Sequence, residues 1–257
     1  MSDNIKSMSL ELIKPVIEEI YEDGAKPLVK EVGKALETFG KVSNLLISPL
    51  RLAAVTGNTF MERVTTDIVK KIHQRNIPDS SLVDLPCNIA VPTLQALYYN
   101  IEIEELRRIL INLLATSMDK SNCKKARSAF VVTTAQLEPL DVRIFHELFL
   151  NKDTYQYSAI GIDNKHFLNF FNLSMLTLDN IEEIEDSIEN LDRLGLISVN
   201  QNLWLQEEVS ETTKSSLTYK LLYENSKLSN KVFSANPLIW HTTKYGHLFA
   251  DVCLDCR

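Results

Sequence analysis

IEIEELRRILINLLATSMDKSNCKKARSAFVVTTAQLEPLD, residues 101–141, joins a strongly apolar segment to a basic turn and a proline-led segment. Ile103, Leu106, Leu110, Leu113 and Leu114 recur at helical spacing, which marks one apolar face of an α-helix. Ile109 and Ile111 widen that face, so the predicted helix 102–118 is buried over most of its circumference. A basic turn follows, with Lys120, Lys124, Lys125 and Arg127. A second helix is predicted over 121–136. Pro139 starts a third, because the missing proline N–H costs nothing in a first helical turn.

Working toward the N-terminus, TLQALYYN continues the helical pattern, while Pro78, Pro86 and Pro92 predict a loop or partly extended connection over 77–92. Before it, Phe60, Val64, Ile68 and Ile72 form a long helical stripe. Its last turn carries Lys70, Lys71 and His73, cations that complement the negative end of the helix dipole. Residues 8–39 read as two further helical stretches, with Leu10, Ile13, Ile17, Ile20 and Tyr21 on one face. Glu18, Glu19, Glu22 and Asp23 would repel anionic lipid there, so core packing is preferred to membrane binding.

Toward the C-terminus the pattern changes. Leu140, Ile144, Phe145 and Leu148 make one face of helix 139–150. TYQYSAIGI alternates as a short strand does, and KHFLNFFNLSML reads as helical. Asp179, with Glu182 three residues on, is predicted to cap a helix through a capping box. That helix is striped by Ile181, Ile184, Ile188, Leu191 and Leu194 and is closed by Gly195 in a left-handed cap. LISVN and LWLQ, joined at Asn200-Gln201-Asn202, read as a β-hairpin. Residues 206–216 are polar and acidic, and are predicted to be a mobile loop. A short apolar strand, LIW, and a helix around His247, Leu248 and Val252 close the chain.

Composition agrees with a helical protein. The apolar share is 45%, charged residues make up 24%, and only 7 glycines serve 257 residues, so few tight or phosphate-cradling loops are expected. The start is polar and acidic, and no apolar run approaches membrane-spanning length; a cytoplasmic protein is predicted. Net charge is −7, and residues 151–257 hold 9 basic against 15 acidic side chains. A nucleic-acid backbone is repelled by such a field unless a local basic patch overrides it. The four cysteines, Cys87, Cys123, Cys253 and Cys256, are expected as free thiols in a reducing compartment.

Two resemblances follow from these residues. Helix, strand, helix, a capped helix ending in LDRLGLI, a hairpin, and then Thr243, Gly246 and Phe249 in a Thr-x-x-Gly-x-x-Phe segment resemble a winged-helix domain over 138–257. More widely, LRRILINLLATSMDKSNCKKARSAFVVTTAQLEPLD resembles the abortive-infection alpha family of bacterial phage-resistance proteins. Leu113, Leu114, Ala115, Ser117, Met118, Asp119, Phe130, Gln136, Leu137, Pro139, Leu140 and Asp141 match that family's pattern. Ala129 and Glu138 stand where the pattern has serine. The resemblance covers about residues 25–257 and implies resistance to phage by killing or arresting the infected cell. It supplies no catalytic residues.

His146-Glu147 begins a zinc-protease helix pattern, but the second histidine such a motif needs is replaced by Leu150. Cys253, Cys256, His241 and His247 could supply four zinc ligands, yet one C-x-x-C without a second pair at usual spacing favours packed or free thiols. The phosphate-binding glycine motifs and the serine-hydrolase elbow do not occur. Lys120, Lys124, Lys125 and Arg127, with Arg107 and Arg108 one helix earlier, form a candidate nucleic-acid or acidic-partner patch; a solvated turn is preferred. The helix before the predicted wing carries Asp179, Glu182, Glu183, Glu185, Asp186, Glu189 and Asp192 against Arg193, so DNA binding through 180–194 is disfavoured.

The sequence therefore predicts a mainly α protein. An N-terminal helical domain spans 1–136. A winged-helix-like domain, with a small antiparallel β wing and an acidic loop near 206–216, spans 137–257. No catalytic, cofactor-binding or metal-binding residue is expected, and no cofactor. The expected function is non-enzymatic phage defence through a protein partner or homo-oligomer. The alternatives are a winged-helix DNA-binding regulator and a membrane-acting toxin using helices within 8–74.

Overall fold

A computed structural model describes residues 56–204 and 207–254. The readings on residues 8–55, on residues 205 and 206, and on Cys256 lie outside the described residues. The chain divides into two compact units. Among the described residues, one takes in Thr56–Gln136 together with Val252–Leu254; the other comprises Leu137–Asp251.

In the first unit, α1 (Thr56–Gln74), α2 (Cys87–Asn100), α3 (Glu104–Met118) and the short α4 (Ala129–Thr134) pack together. The α1 stripe is realised: Val64, Ile68 and Ile72 are fully buried. In α3 every residue from Ile109 to Met118 is buried, as its wide apolar stripe requires. Two boundaries differ from expectation. Helix α2 begins at Cys87 and contains Pro92, so the irregular connection stops earlier than three prolines suggest. Pro92 lies within the first two turns of α2, where at most one hydrogen bond is lost. Residues 121–136 are not one helix. Cys123–Lys125 form a single 3-10 turn, and α4 spans only Ala129–Thr134. The Asp119 carboxylate takes the Ser121 backbone N–H at 2.9 Å and the Asn122 amide at 2.6 Å. Those bonds favour a tight turn over a helix.

In the second unit, α5 (Pro139–Leu150) opens with proline in its first turn and a capping box between Glu138 and Asp141. Strands β1 (Tyr157–Ile162) and β2 (Lys165–Phe170) follow. Then come α6 (Ile181–Arg193), β3 (Ile197–Trp204), α7 (Glu211–Ser215), α8 (Leu217–Leu228), β4 (Phe233–Thr242) and α9 (Lys244–Cys253). The sheet is antiparallel in the order β2-β1-β4-β3.

Four expectations are corrected here. KHFLNF is strand β2, not helix, paired with β1 from Ile162↔Lys165 to Tyr157↔Phe170. Its aromatic residues suit a pleated surface, and Asp163 at φ 52° makes the tight turn before it. LISVN and LWLQ do not fold back on each other: residues 197–204 form one strand, paired with β4 and bulged between Asn200 and Trp204. Asn200-Gln201-Asn202 thus marks a bulge, where the ladder slips. Asp179 does not cap α6. The helix starts after Asn180, whose side-chain oxygen instead accepts the Thr177 N–H at 2.7 Å. The acidic segment near 206–216 holds α7, capped by Ser210, whose hydroxyl accepts the Thr213 N–H at 3.2 Å.

The end of α6 follows the sequence closely. Gly195 has φ 69°, the Leu196 N–H bonds Leu191 O at 3.0 Å, and the Gly195 N–H bonds Asp192 O at 2.8 Å. This is the Schellman arrangement that satisfies the last helix carbonyls.

Candidate functional site

Helix α6 is the most strongly charged element among the described residues. Ile181, Ile184, Ser187, Ile188 and Leu191 face the core, which turns the acids outward. Glu182, Glu183, Asp186 and Glu189 are exposed, and so is Asp179 just before the helix. Two acids are used internally. Glu185 accepts the Leu168 N–H at 3.2 Å, tying α6 to β2, and Asp192 accepts the Val199 N–H at 3.0 Å, tying it to β3. The crowding shows in Glu185. Its carboxyl is pushed above the usual range chiefly by burial and then by Asp186, Glu182 and Glu189, while the Leu168 N–H pulls the other way. Asn190 anchors the same helix by donating to buried Asp141 on α5 at 2.7 Å. The face is therefore an acidic surface on a helix tied to β2, β3 and α5.

A cleft of about 550 Å³ opens where β1 and β4 part. Their pairing ends at Ser158↔Pro237, where proline has no N–H to continue the ladder. Beyond it the Trp240 indole N–H donates to Tyr155 O at 2.9 Å, and the Gln156 side chain accepts the Ser210 N–H at 2.8 Å. Tyr155 donates its hydroxyl to Glu147, which also accepts the Ser174 N–H at 2.8 Å and the Ser174 hydroxyl at 2.7 Å. Burial, reinforced by Glu147, raises the Tyr155 phenol above its ordinary value. Thr154, Ile239 and Trp240 give the cleft a mixed polar and apolar lining. The Ser210 hydroxyl at the cleft is engaged in capping α7.

The other sequence candidates fall in separate places. His146 is half-buried, Glu147 is the strut just described, and Leu150 is exposed. His247 is exposed and packs edge-on against Phe149, with ring centroids 5.5 Å apart. His241 is exposed on β4. Cys253 is fully buried, and desolvation pushes its thiol well above the ordinary value. Among the described residues no three His, Cys, Asp or Glu side chains are grouped to hold a metal. In the basic patch, Arg107 pairs with Asp67 at 3.5 Å and Arg108 with Glu104 at 3.8 Å, while Lys120, Lys124 and Arg127 are exposed on the turn. No described helix is long and apolar enough to cross a membrane.

Two features escaped the sequence reading. One is the cleft, formed by strands whose parting depends on register. The other is a polar ladder within the first unit. Arg75 donates to Thr116 Oγ1 at 2.7 Å and to Asn112 Oδ1 at 3.1 Å; Asn112 donates to Cys253 O at 2.9 Å and Thr116 to Val252 O at 3.2 Å. Asn112 and Thr116 inside the leucine-rich helix were the available signal.

A largely helical chain with a four-stranded antiparallel sheet and an acidic exposed helix is the class these elements define. The family model described as abortive infection alpha matches residues 58–253, and the chain belongs to that family. No curated protein and no solved structure matches the chain.

Proposed function

We propose that this protein acts in phage defence without catalysing a reaction, through protein contacts made by the second unit. Membership of the abortive infection family supports the setting. The observation that carries the mode of action is the outward row of Glu182, Glu183, Asp186 and Glu189 on a helix anchored to β2, β3 and α5. A basic surface on a phage or host protein is complementary to it.

The second unit is also proposed to be a modified winged helix. Strand order β1-β4-β3, a helix before β1 and the glycine-closed helix before β3 support that origin. β2 would then occupy the place of the helix that precedes the recognition helix, and α7 and α8 the place of the wing. Loss of that helix and the acids on α6 both weigh against duplex recognition.

The experiment is a phage challenge of cells carrying the gene, with a growth assay on overexpression. Reduced phage yield is expected with the unmodified protein. It is expected to be lost with Glu182→Gln, Glu183→Gln, Asp186→Asn and Glu189→Gln combined, while the thermal melt stays unchanged. Full protection by that folded variant would overturn the assignment of α6. Tight, salt-sensitive binding of mixed duplex DNA would overturn the protein-contact reading.

A further inference from the structure

Strand β4 changes partners halfway. Its first half, up to Pro237, pairs with β1, and its second half, from Leu238 to Thr242, pairs with β3 on the opposite edge. Past Pro237, the edge of β4 that β1 has left borders the cleft lined by Leu238, Ile239 and Trp240.

Hydrogen-bond phase decides which backbone groups line that edge. In an antiparallel ladder, opposed residues either exchange both their bonds or turn both sets of groups outward. Val199 opposes Trp240, and its N–H is turned outward to the Asp192 carboxylate at 3.0 Å. The Trp240 N–H and C=O therefore also turn away from β3, toward the cleft. The far side of the sheet gives the same phase. The Leu168 N–H turns outward to Glu185 at 3.2 Å, so the residue opposite, Ala159, points its groups at Asn236 of β4. Trp240 follows Asn236 by an even number of residues, and alternation gives it the same direction. Among the described residues, neither the N–H nor the C=O of Trp240 has a hydrogen-bond partner. An α6 carboxylate thus occupies a donor on each outer strand, whereas the inner edge at Trp240 stays open.

We propose that the cleft binds an extended peptide segment of another protein, which adds to β4 at Trp240 as a short strand. A donor and an acceptor on one residue, both in the plane of a sheet, match the backbone of one extended residue. The opposite wall selects among occupants. Tyr155 and Gln156 line the far side, and the Trp240 indole N–H donates across to Tyr155 O at 2.9 Å. The slot therefore admits a single chain and excludes the edge of a second folded copy, whose own sheet would meet that wall. A phosphate-bearing ligand finds no counter-charge there, because Asp153 is the one charged residue among the described lining residues. Ile239, next to the pairing position, is 37% exposed, so an apolar β-branched residue of the peptide has a cross-strand neighbour. The site uses none of the exposed acids of α6, and the inference does not depend on the reading given to them.

The test has two arms, both on the full-length protein. In amide hydrogen exchange followed by NMR, the Trp240 amide is expected to exchange faster than that of His241, which points to β3 opposite Ser198. A Trp240 amide as protected as that of His241 would overturn the proposal. In the second arm, linear peptides are selected from a random display library on the immobilised protein. The selected peptide is expected to slow exchange at Trp240. Binding is expected to be lost when the peptide amide paired with the Trp240 carbonyl is N-methylated, a change that leaves the protein untouched. Ile239→Ser is expected to weaken binding about fivefold, through loss of one cross-strand apolar pair. The acid-neutralised α6 variant should still bind the peptide, which separates this inference from the proposed function. Failure of the library to yield a binder, or unchanged binding by every N-methylated form, would overturn the proposal. So would displacement of the peptide by ATP, which would make the cleft a nucleotide site. A light-scattering mass that falls to half in Ile239→Ser would make it a self-interface and overturn it as well.

Discussion

Gly195 and Gly246 are both glycines of the second unit, and they are required for different reasons. Gly195 sits at φ 69° with open space around it, whereas a methyl group on Gly246 would lie 1.9 Å from the Leu196 carbonyl oxygen. That close approach is built by Thr243. Its N–H donates to Leu196 O at 3.2 Å, its hydroxyl bonds Gly195 O, and the same hydroxyl accepts the Gly246 N–H at 2.9 Å. The Thr-x-x-Gly spacing is therefore a helix cap combined with a strand-to-helix contact. Gly195→Ala should cost about 1 kcal/mol, the left-handed penalty, and Gly246→Ala about 3 kcal/mol, the upper range for overpacking. Urea unfolding monitored by circular dichroism measures both. Equal costs would mean that the approach at Leu196 relaxes freely.

Helices were legible wherever an apolar stripe was long and uninterrupted. α1, α3, α5 and α6 stand at or near their expected positions because period 3.6 and burial of one face select the same conformation. Asp141, read only as the acid after Pro139-Leu140, proves to be a buried joint: it accepts the Glu138 N–H at 2.8 Å and the Asn190 amide at 2.7 Å. The six residues of β2 have mixed polarity and carry little periodicity, and pairing with β1 overrides their local preference. Asn200-Gln201-Asn202 suits a bulge as well as a turn, so local chemistry does not separate a hairpin of LISVN and LWLQ from the single bulged strand β3. Asn112 shows what an apolar helix conceals. It is 1% exposed and bonds both Arg75 and the Cys253 carbonyl. Asn112→Leu is expected to destabilise the protein by about 2–3 kcal/mol, the desolvation cost of partners left unpaired. A urea midpoint equal to that of the unmodified protein would deny the ladder a structural role.

For the whole molecule, buried titratable groups set a pH limit. Burial holds the Cys253 thiol and the Tyr157 phenol above their ordinary values of 9.0 and 10.0. For Tyr157, Glu185, Asp192 and Glu189 add to the effect of burial. The native state therefore keeps protons that the unfolded chain releases at alkaline pH. The stabilisation is fully present below the ordinary thiol value and is lost as the pH rises beyond it, further past the ordinary phenol value. Urea midpoints are expected to be level between about pH 7 and 8 and to fall by about pH 10. Cys253→Ser should remove the earlier part of that fall.

Spacing along single elements was enough to read the substantial helical content, the family, the outward acids of α6 and the glycine that closes it, but not the four-stranded sheet that makes the chain mixed α/β. That residues 165–170 form a strand follows from their pairing with β1. The same holds for the place of β4 between β1 and β3, for the cleft where β1 and β4 part, and for the exposure of Leu217 and Leu228 on α8. Those features depend on which segments meet in space, and pairing and coverage of a face are set by the partner element, which local periodicity does not encode.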